Sequence, residues 1–322
     1  MSRVLKIVLV GVIVLNCSWG FFAHQKINRL AVFTLPPEMI GFYKKNIQYL
    51  TEASVNPDRR RYAVPEEAAK HYIDLEDYGD SSVYKLPRYW NDAVEKYGED
   101  SLNARGSVPW QINFMYYQLK EGFLLKDPQR ILKTSAELGH YVADANVPLH
   151  TTRNYDGQLT GQNGIHALWE SRLPELFFED YDFFVGKAQY IENVQMVAWK
   201  AIELANRALD SVLLNEKQLF QKSGDKKFSF ETKGKQTVKT VSALYAKEYH
   251  DLLSGMVERQ FRKSVKMVGD IWYTAWVDAG QPDLKIMIDY QPTEKELKDR
   301  QAELKLWKER VLKARDHEAA DN

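Results

Sequence analysis

Cysteine is nearly missing. The only one is Cys17, and it falls in a segment that reads as removable, so the mature chain holds no disulfide even in an oxidising compartment. Any cross-linking of distant segments is left to packing or to metal. Neither sign of charge is in excess: 44 Lys plus Arg meet 44 Asp plus Glu. No global basic field marks a nucleic-acid binder, although a local patch stays open. No run alternates with period two for long enough to make a strand, which leaves an all-α class. Membrane-spanning length is missing too. The apolar run Leu5 to Leu15, interrupted only by Lys6, is too short to cross a bilayer comfortably.

What is present is enough for one large domain or two small ones, at 322 residues with 44% hydrophobic and 12% aromatic content. A charged fraction of 27% excludes a disordered or fibrous chain. Residues 1–18 have the layout of a signal peptide: Arg3 and Lys6, the apolar run, then Asn16-Cys17-Ser18 as a small, polar exit. Cleavage before Trp19 is the expectation, giving a secreted or periplasmic protein; the alternative is an uncleaved anchor. A lipoprotein would need a small residue before Cys17, and Asn16 fits poorly.

Helical periodicity dominates the remainder. Residues 37–54 follow a Pro-Pro start with Met39, Ile40, Tyr43, Ile47 and Leu50 at three-and-four spacing. Residues 108–124, 128–147, 189–214 and 238–279 read the same way, with Pro148 stopping the third. Residues 55–65, 151–164 and 222–236 read as loops, the last rich in Lys and Gly. From Thr293 a charged helix forms a loosely packed tail. The simplest parse is one catalytic domain over 19–290 followed by a C-terminal helix over 291–322.

The histidines carry the chemical information. His140 and Asp144 are four residues apart on one helix face, about 6 Å apart at Cβ, and His150 follows just past Pro148. Zinc accepts imidazole nitrogen and carboxylate oxygen, and the two oxygens of Asp144 could bridge two ions. Taken alone, the pair is equally a helix histidine bonded to an aspartate one turn away. His166 and Glu170 repeat the spacing after a Gly-rich loop, and two such pairs with a histidine between them are much more specific. Asp58 precedes Arg59, Arg60 and Arg61, guanidiniums suited to a phosphate oxyanion, and His71 follows with Tyr72 and Asp74 close behind. At the expected cut lie Trp19 and His24. A freed α-amino group, with a pKa near ~8, is an accessible zinc ligand. His250 and His317 read as solvated, and Trp90, Trp110, Trp199, Trp272 and Trp276 read as core.

This set of residues resembles the superfamily of bacterial zinc-dependent phospholipase C and the single-strand-specific zinc nucleases of moulds and plants. The match runs from Trp19 to about Glu170. The resemblance implies an all-helical bundle holding three zinc ions. Asp58, His71, His140 and Asp144 would hold one zinc; Trp19, His24 and the second oxygen of Asp144 another; His150, His166 and Glu170 a third. Arg61 would grip phosphate, and Tyr72 and Asp74 would contact substrate. Trp19-Gly20 with His24, and Ala53-Ser54 ahead of Asp58 and Arg61, look like the nucleases. Glu170 and the short 150–166 loop look like the phospholipase.

The implied function is an exported phosphodiester hydrolase of the phospholipase C type acting on phospholipid. Zinc lowers the pKa of bound water to about 7, supplying hydroxide at neutral pH, and Asp58 could accept the proton. The alternatives are a nuclease acting on single-stranded RNA or DNA and a non-catalytic, zinc-stabilised binding module. No obligate protein partner is evident.

Overall fold

The computed structural model describes residues 21–309 apart from 234–235. The expected signal segment, Trp19 and His317 therefore lie outside the described residues. The first half of the chain holds α1 (Phe21–Ala31), α2 (Pro37–Lys45), α3 (Ile47–Ala53), α4 (Asn56–Arg60), α5 (Ser82–Lys85), α6 (Trp90–Tyr97), α7 (Glu99–Arg105), α8 (Val108–Leu125) and α9 (Pro128–Asp144). A π-helical turn over Ala167–Arg172 leads into α10 (Leu173–Phe177) and α11 (Val194–Ser223). The hairpin β1 (Phe228–Lys233) and β2 (Gln236–Val241) precedes α12 (Ala243–Leu252), α13 (Met256–Asp278) and α14 (Glu294–Glu309). The class is all-α, with that two-stranded hairpin as the only sheet among the described residues.

At the centre is α9. It starts cleanly because Pro128 needs no amide partner at the first helical position and Asp127 accepts from the Arg130 amide at 3.0 Å. From Thr134 to Asp144 every residue is buried. Helix α1 lies close against it through Asn28, whose Nδ2 donates to Ala136 O at 2.8 Å and to Leu50 O at 3.2 Å. A Cβ on Gly139 would meet Asn28 Oδ1 at 1.8 Å, so glycine there permits the approach. Helix α13 closes the other side, with Trp272 Nε1 donating to Ser135 O at 3.1 Å. Two apolar clusters result. The first takes in α9 through Ala145 and much of α13, and the second includes Val147 and Leu149, so the donor-rich segment 140–150 passes from one to the other.

Several elements differ from their sequence-based expectation. Residues 37–54 break at Asn46, which leaves helical geometry while its Nδ2 bonds Phe42 O at 2.9 Å, the kind of local bond that competes with helix. The stretch 238–279 is interrupted at Ser254 and Gly255, both in the left-handed region. Part of the expected 222–236 loop is hairpin, and the strand runs on to Val241. The tail is not loose as far as Glu309. Trp307 is buried with the Arg60 guanidinium 5.7 Å from its ring, Arg300 lies 4.3 Å over Tyr49, and Lys133 pairs with Glu303 at 3.3 Å. His250 is not simply solvated either: it is half-buried, bonds the Tyr181 hydroxyl at 2.9 Å and stacks on that ring. Trp110, Trp199, Trp272 and Trp276 are buried in the core, and Trp90 packs against it.

Candidate metal centre

Three chain segments supply the first set of donors. Asp58 comes from α4, His71 from a 3-10 turn over Ala68–His71, and His140 with Asp144 from the end of α9. His71 Nδ1 lies 3.0 Å from His140 Nε2, 3.0 Å from Asp144 Oδ2 and 3.8 Å from Asp58 Oδ1. His140 Nε2 lies 3.4 Å from Asp144 Oδ2 and 3.6 Å from Asp58 Oδ1. A tetrahedral shell with zinc–donor bonds of about 2.0–2.1 Å has donor–donor edges of about 3.3 Å, so these separations straddle the required value.

His24 on α1 faces a second set. Its Nε2 lies 3.5 Å from Asp144 Oδ1 and 3.2 Å from Glu170 Oε1. Asp144 thus turns one oxygen to each set. The stacking of the His24 and His140 rings, centroids 4.0 Å apart, holds the two sets side by side.

The third set is His150, His166 and Glu170, joined through one oxygen, Oε2. That oxygen lies 3.2 Å from His150 Nε2 and 2.7 Å from His166 Nε2, and the two nitrogens are 3.1 Å apart. His150 Nδ1 donates to His71 O at 2.5 Å, and His166 Nδ1 donates to Tyr155 O at 3.1 Å. A neutral imidazole carries one N–H, so both Nε2 atoms present lone pairs. Two nitrogen lone pairs and a carboxylate oxygen in mutual contact could hold a cation between them. The π-helical turn starts directly after His166 and carries Glu170 toward it.

The electrostatics agree. Burial holds His71, His140 and His150 below the ordinary imidazole range, in the neutral form that metals require. Burial, then the charges of Glu170 and Asp58, push Asp144 well above the usual carboxylate range. Burial also pushes Glu170 up, but the nearness of His150, then of His166 and His24, outweighs it and holds that carboxyl low. For His24, burial is outweighed by the Glu170 hydrogen bond and the nearby Asp58 charge, which raise it. So many acidic oxygens in one buried pocket would be stabilised by a bound cation. His/Asp/Glu donor groups compact enough to hold an ion recur four times here, and the donor types suit zinc.

Glu67 is a participant the sequence did not single out. Its Oε1 stands 3.8 Å from His71 Nε2, on the ring edge away from the donors, and accepts from Arg60 at 2.9 Å and from the Tyr141 hydroxyl. Lys70 binds its other oxygen at 3.1 Å. At that distance the carboxylate acts on the ring through its charge, which raises the basicity of His71. The His71 spacing to Glu67, four residues, was the available signal.

The Arg triplet splits. Arg59 binds Asn56 at 3.2 Å, Arg60 joins Glu67 and Glu137, and only Arg61 reaches the donors, through Asp58 Oδ1 at 3.1 Å. Tyr72 and Asp74 are buried, at 8% and 7% exposure. Gly106, at a φ of +91°, packs against the Tyr72 carbonyl, and the Asp74 amide donates to Arg105 O at 2.7 Å.

No family model and no curated protein sequence matches the chain. Among solved structures, the crystal structure of Clostridium perfringens alpha-toxin, from an avian strain, superposes with a TM-score of 0.46 at 15% identity. The alignment covers 82% of this chain and 65% of the toxin, so the chain spans about two thirds of that protein's length.

Proposed function

We propose that the chain is an exported zinc-dependent phosphodiester hydrolase that cleaves phospholipid head groups, with three zinc ions held by the sets described and the mature amino terminus at Trp19. The observation that carries this reading is the third set. It has three donors among the described residues, all presenting lone pairs to one point, which leaves a coordination position open next to the carboxylate shared with His24. Closed four-donor sites are structural, whereas an open position is the arrangement of catalytic zinc. Bound zinc supplies a water acidic enough to ionise near neutral pH and positive charge for a phosphate.

The chain's own residues do the remainder. Asp144 and Glu170 each aim one oxygen at one set and the other at the next, so a single phosphate can reach several positive centres. Arg61, fixed against Asp58, adds a cation that complements charge developing on the phosphoryl oxygens. Asp58, with 13% side-chain exposure the most accessible carboxylate of the group, takes the proton of the attacking water. Burial of Tyr72 leaves no exposed ring there for stacking a base and favours the head-group reading over the nuclease one. No described helix is long and apolar enough to cross a membrane.

The test assays mature protein against phosphatidylcholine micelles and single-stranded RNA and DNA side by side, with zinc and with chelator. Zinc-restored release of phosphocholine is the expected outcome. Nucleic-acid cleavage without lipid hydrolysis would select the nuclease reading, and bound zinc with neither activity would select the binding module.

A further inference from the structure

The chain is neutral overall, yet its charge is not evenly spread. Residues 217–247 contain eight lysines against two acids, Asp225 and Glu231, and no arginine. This stretch includes the hairpin, whose register pairs Phe230 with Lys239 and Phe228 with Val241. Alternation puts Phe228, Phe230, Lys239 and Val241 on one face and Glu231 on the other. The Glu231 face is anchored: Arg172 binds its carboxylate, and Arg172 Nε also donates to Val241 O at 3.2 Å. On the opposite face Val241 packs against the second apolar cluster, while the two phenylalanines stand open. Phe230 is 74% exposed and Phe228 43%, with Lys239 Nζ 4.6 Å over the Phe228 ring. Leu244, just past the hairpin base where the Ser242 amide bonds Lys227 O, is 67% exposed.

We infer that this hairpin face docks on an anionic lipid surface, an inference that rests on the phospholipid reading above. Exposed phenylalanines on a charged strand pair are a solubility cost unless something covers them. Lysines around them match a surface of anionic head groups, and aromatic and aliphatic side chains enter the boundary between head groups and acyl chains. A single-stranded nucleic acid would also meet lysine and phenylalanine. It has no use for the exposed Leu244, however, and the arginine planes that stack and clamp bases are missing from the segment. Arg172 lies two residues beyond Glu170 on the same π-helical turn, so the docking face is tied to the element that carries a metal-centre carboxylate.

The experiment sediments the zinc-loaded full mature protein with phosphatidylcholine vesicles, with and without phosphatidylserine, and separately titrates a fluorescent single-stranded oligonucleotide. Parent protein should sediment with phosphatidylserine-containing vesicles and release them as salt is raised. Phe230→Ser, and separately the pair Lys226→Glu with Lys239→Glu, should each weaken that binding by roughly tenfold or more. Phe230→Trp should retain it. None of these should change zinc content or hydrolysis of a water-soluble, monomeric short-chain phosphatidylcholine. Unchanged vesicle binding in both variants would overturn the inference, and so would variants that lose oligonucleotide binding while vesicle binding stays as in the parent. Loss of the phospholipid reading shows separately, as no hydrolysis of the monomeric substrate by parent protein.

Discussion

Gly139→Ala sets two opposed effects against each other. Alanine is a better helix residue than glycine by about 1 kcal/mol, so on propensity alone the change stabilises α9. The structure predicts the reverse. The new methyl would stand 1.8 Å from Asn28 Oδ1, about half a normal contact distance. Either Asn28 rotates away or α1 retreats, and in both cases the bonds to Ala136 O and Leu50 O are lost. Two hydrogen bonds at about 1 kcal/mol each and overpacking at about 1–3 kcal/mol exceed the propensity gain. The net loss is about 2–4 kcal/mol, or roughly 3–6 °C in melting temperature for a chain of this length. His24 lies one turn before Asn28 on α1, so the retreat also pulls its imidazole from Asp144 and Glu170, and metal content should fall. Adding Asn28→Ala should make the second substitution nearly free, because the methyl then fills vacated space. Thermal melts and metal analysis of the two single variants and the double test this. A Gly139→Ala protein that melts at or above the parent with full metal would refute the packing argument.

Asp144→Asn should remove more bound metal and more activity than Asp58→Asn, because of the two it is Asp144 that turns a separate oxygen to each of two sets; equal losses on metal analysis would contradict the shared role. Glu67→Gln should weaken metal binding about 10–100-fold. It should also flatten acid sensitivity. Burial raises the Glu67 carboxyl, but Arg60 outweighs it and holds the group at about 2, below 4.5. A depressed carboxylate stabilises above pH 4.5 and loses that contribution as pH falls toward 2, on the order of 3 kcal/mol for the parent. Urea titrations across that window, in chelator, should show a shallower decline for the glutamine variant, and parallel curves would reject the assignment. Finally, one extra residue before Trp19 should cost one zinc and most activity, and a full metal complement in the extended chain would refute amino-terminal ligation.

Helical periodicity was enough to read most of the fold, because long amphipathic stretches bury one face whatever their partners. It failed where a local bond or a backbone conformation overrides the pattern. Asn46 interrupts 37–54 by bonding Phe42 O, and Ser254-Gly255 adopts left-handed geometry that a hydrophobic count does not register. The hairpin was missed although Phe228-Ser229-Phe230-Glu231 alternates and Thr237-Val238-Lys239-Thr240-Val241 is rich in β-branched residues. The lysines and Gly234 between the two halves made it read as loop. Docking of α14 was not legible, because it depends on one aromatic, Trp307, meeting an arginine more than two hundred positions earlier.

The donor cluster that could hold metal was legible as pairs and not as a whole, for a geometric reason. Spacing within a helix determines which two side chains share a face, so His140 with Asp144 and His166 with Glu170 could be read directly. Spacing says nothing about which way each carboxylate oxygen points once helices from different segments meet. In the folded chain Glu170 resembles Asp144: Oε2 joins His150 and His166 while Oε1 turns to His24. Sequence reasoning had assigned it to a single set. The arrangement couples the sets physically. A cation held by His150, His166 and Glu170 would fix the orientation of the carboxylate that His24 meets, and Asp144 connects His24 onward to His71 and His140. Disturbance of α1, which carries only His24 among the described donors, therefore reaches every set through two shared carboxylates.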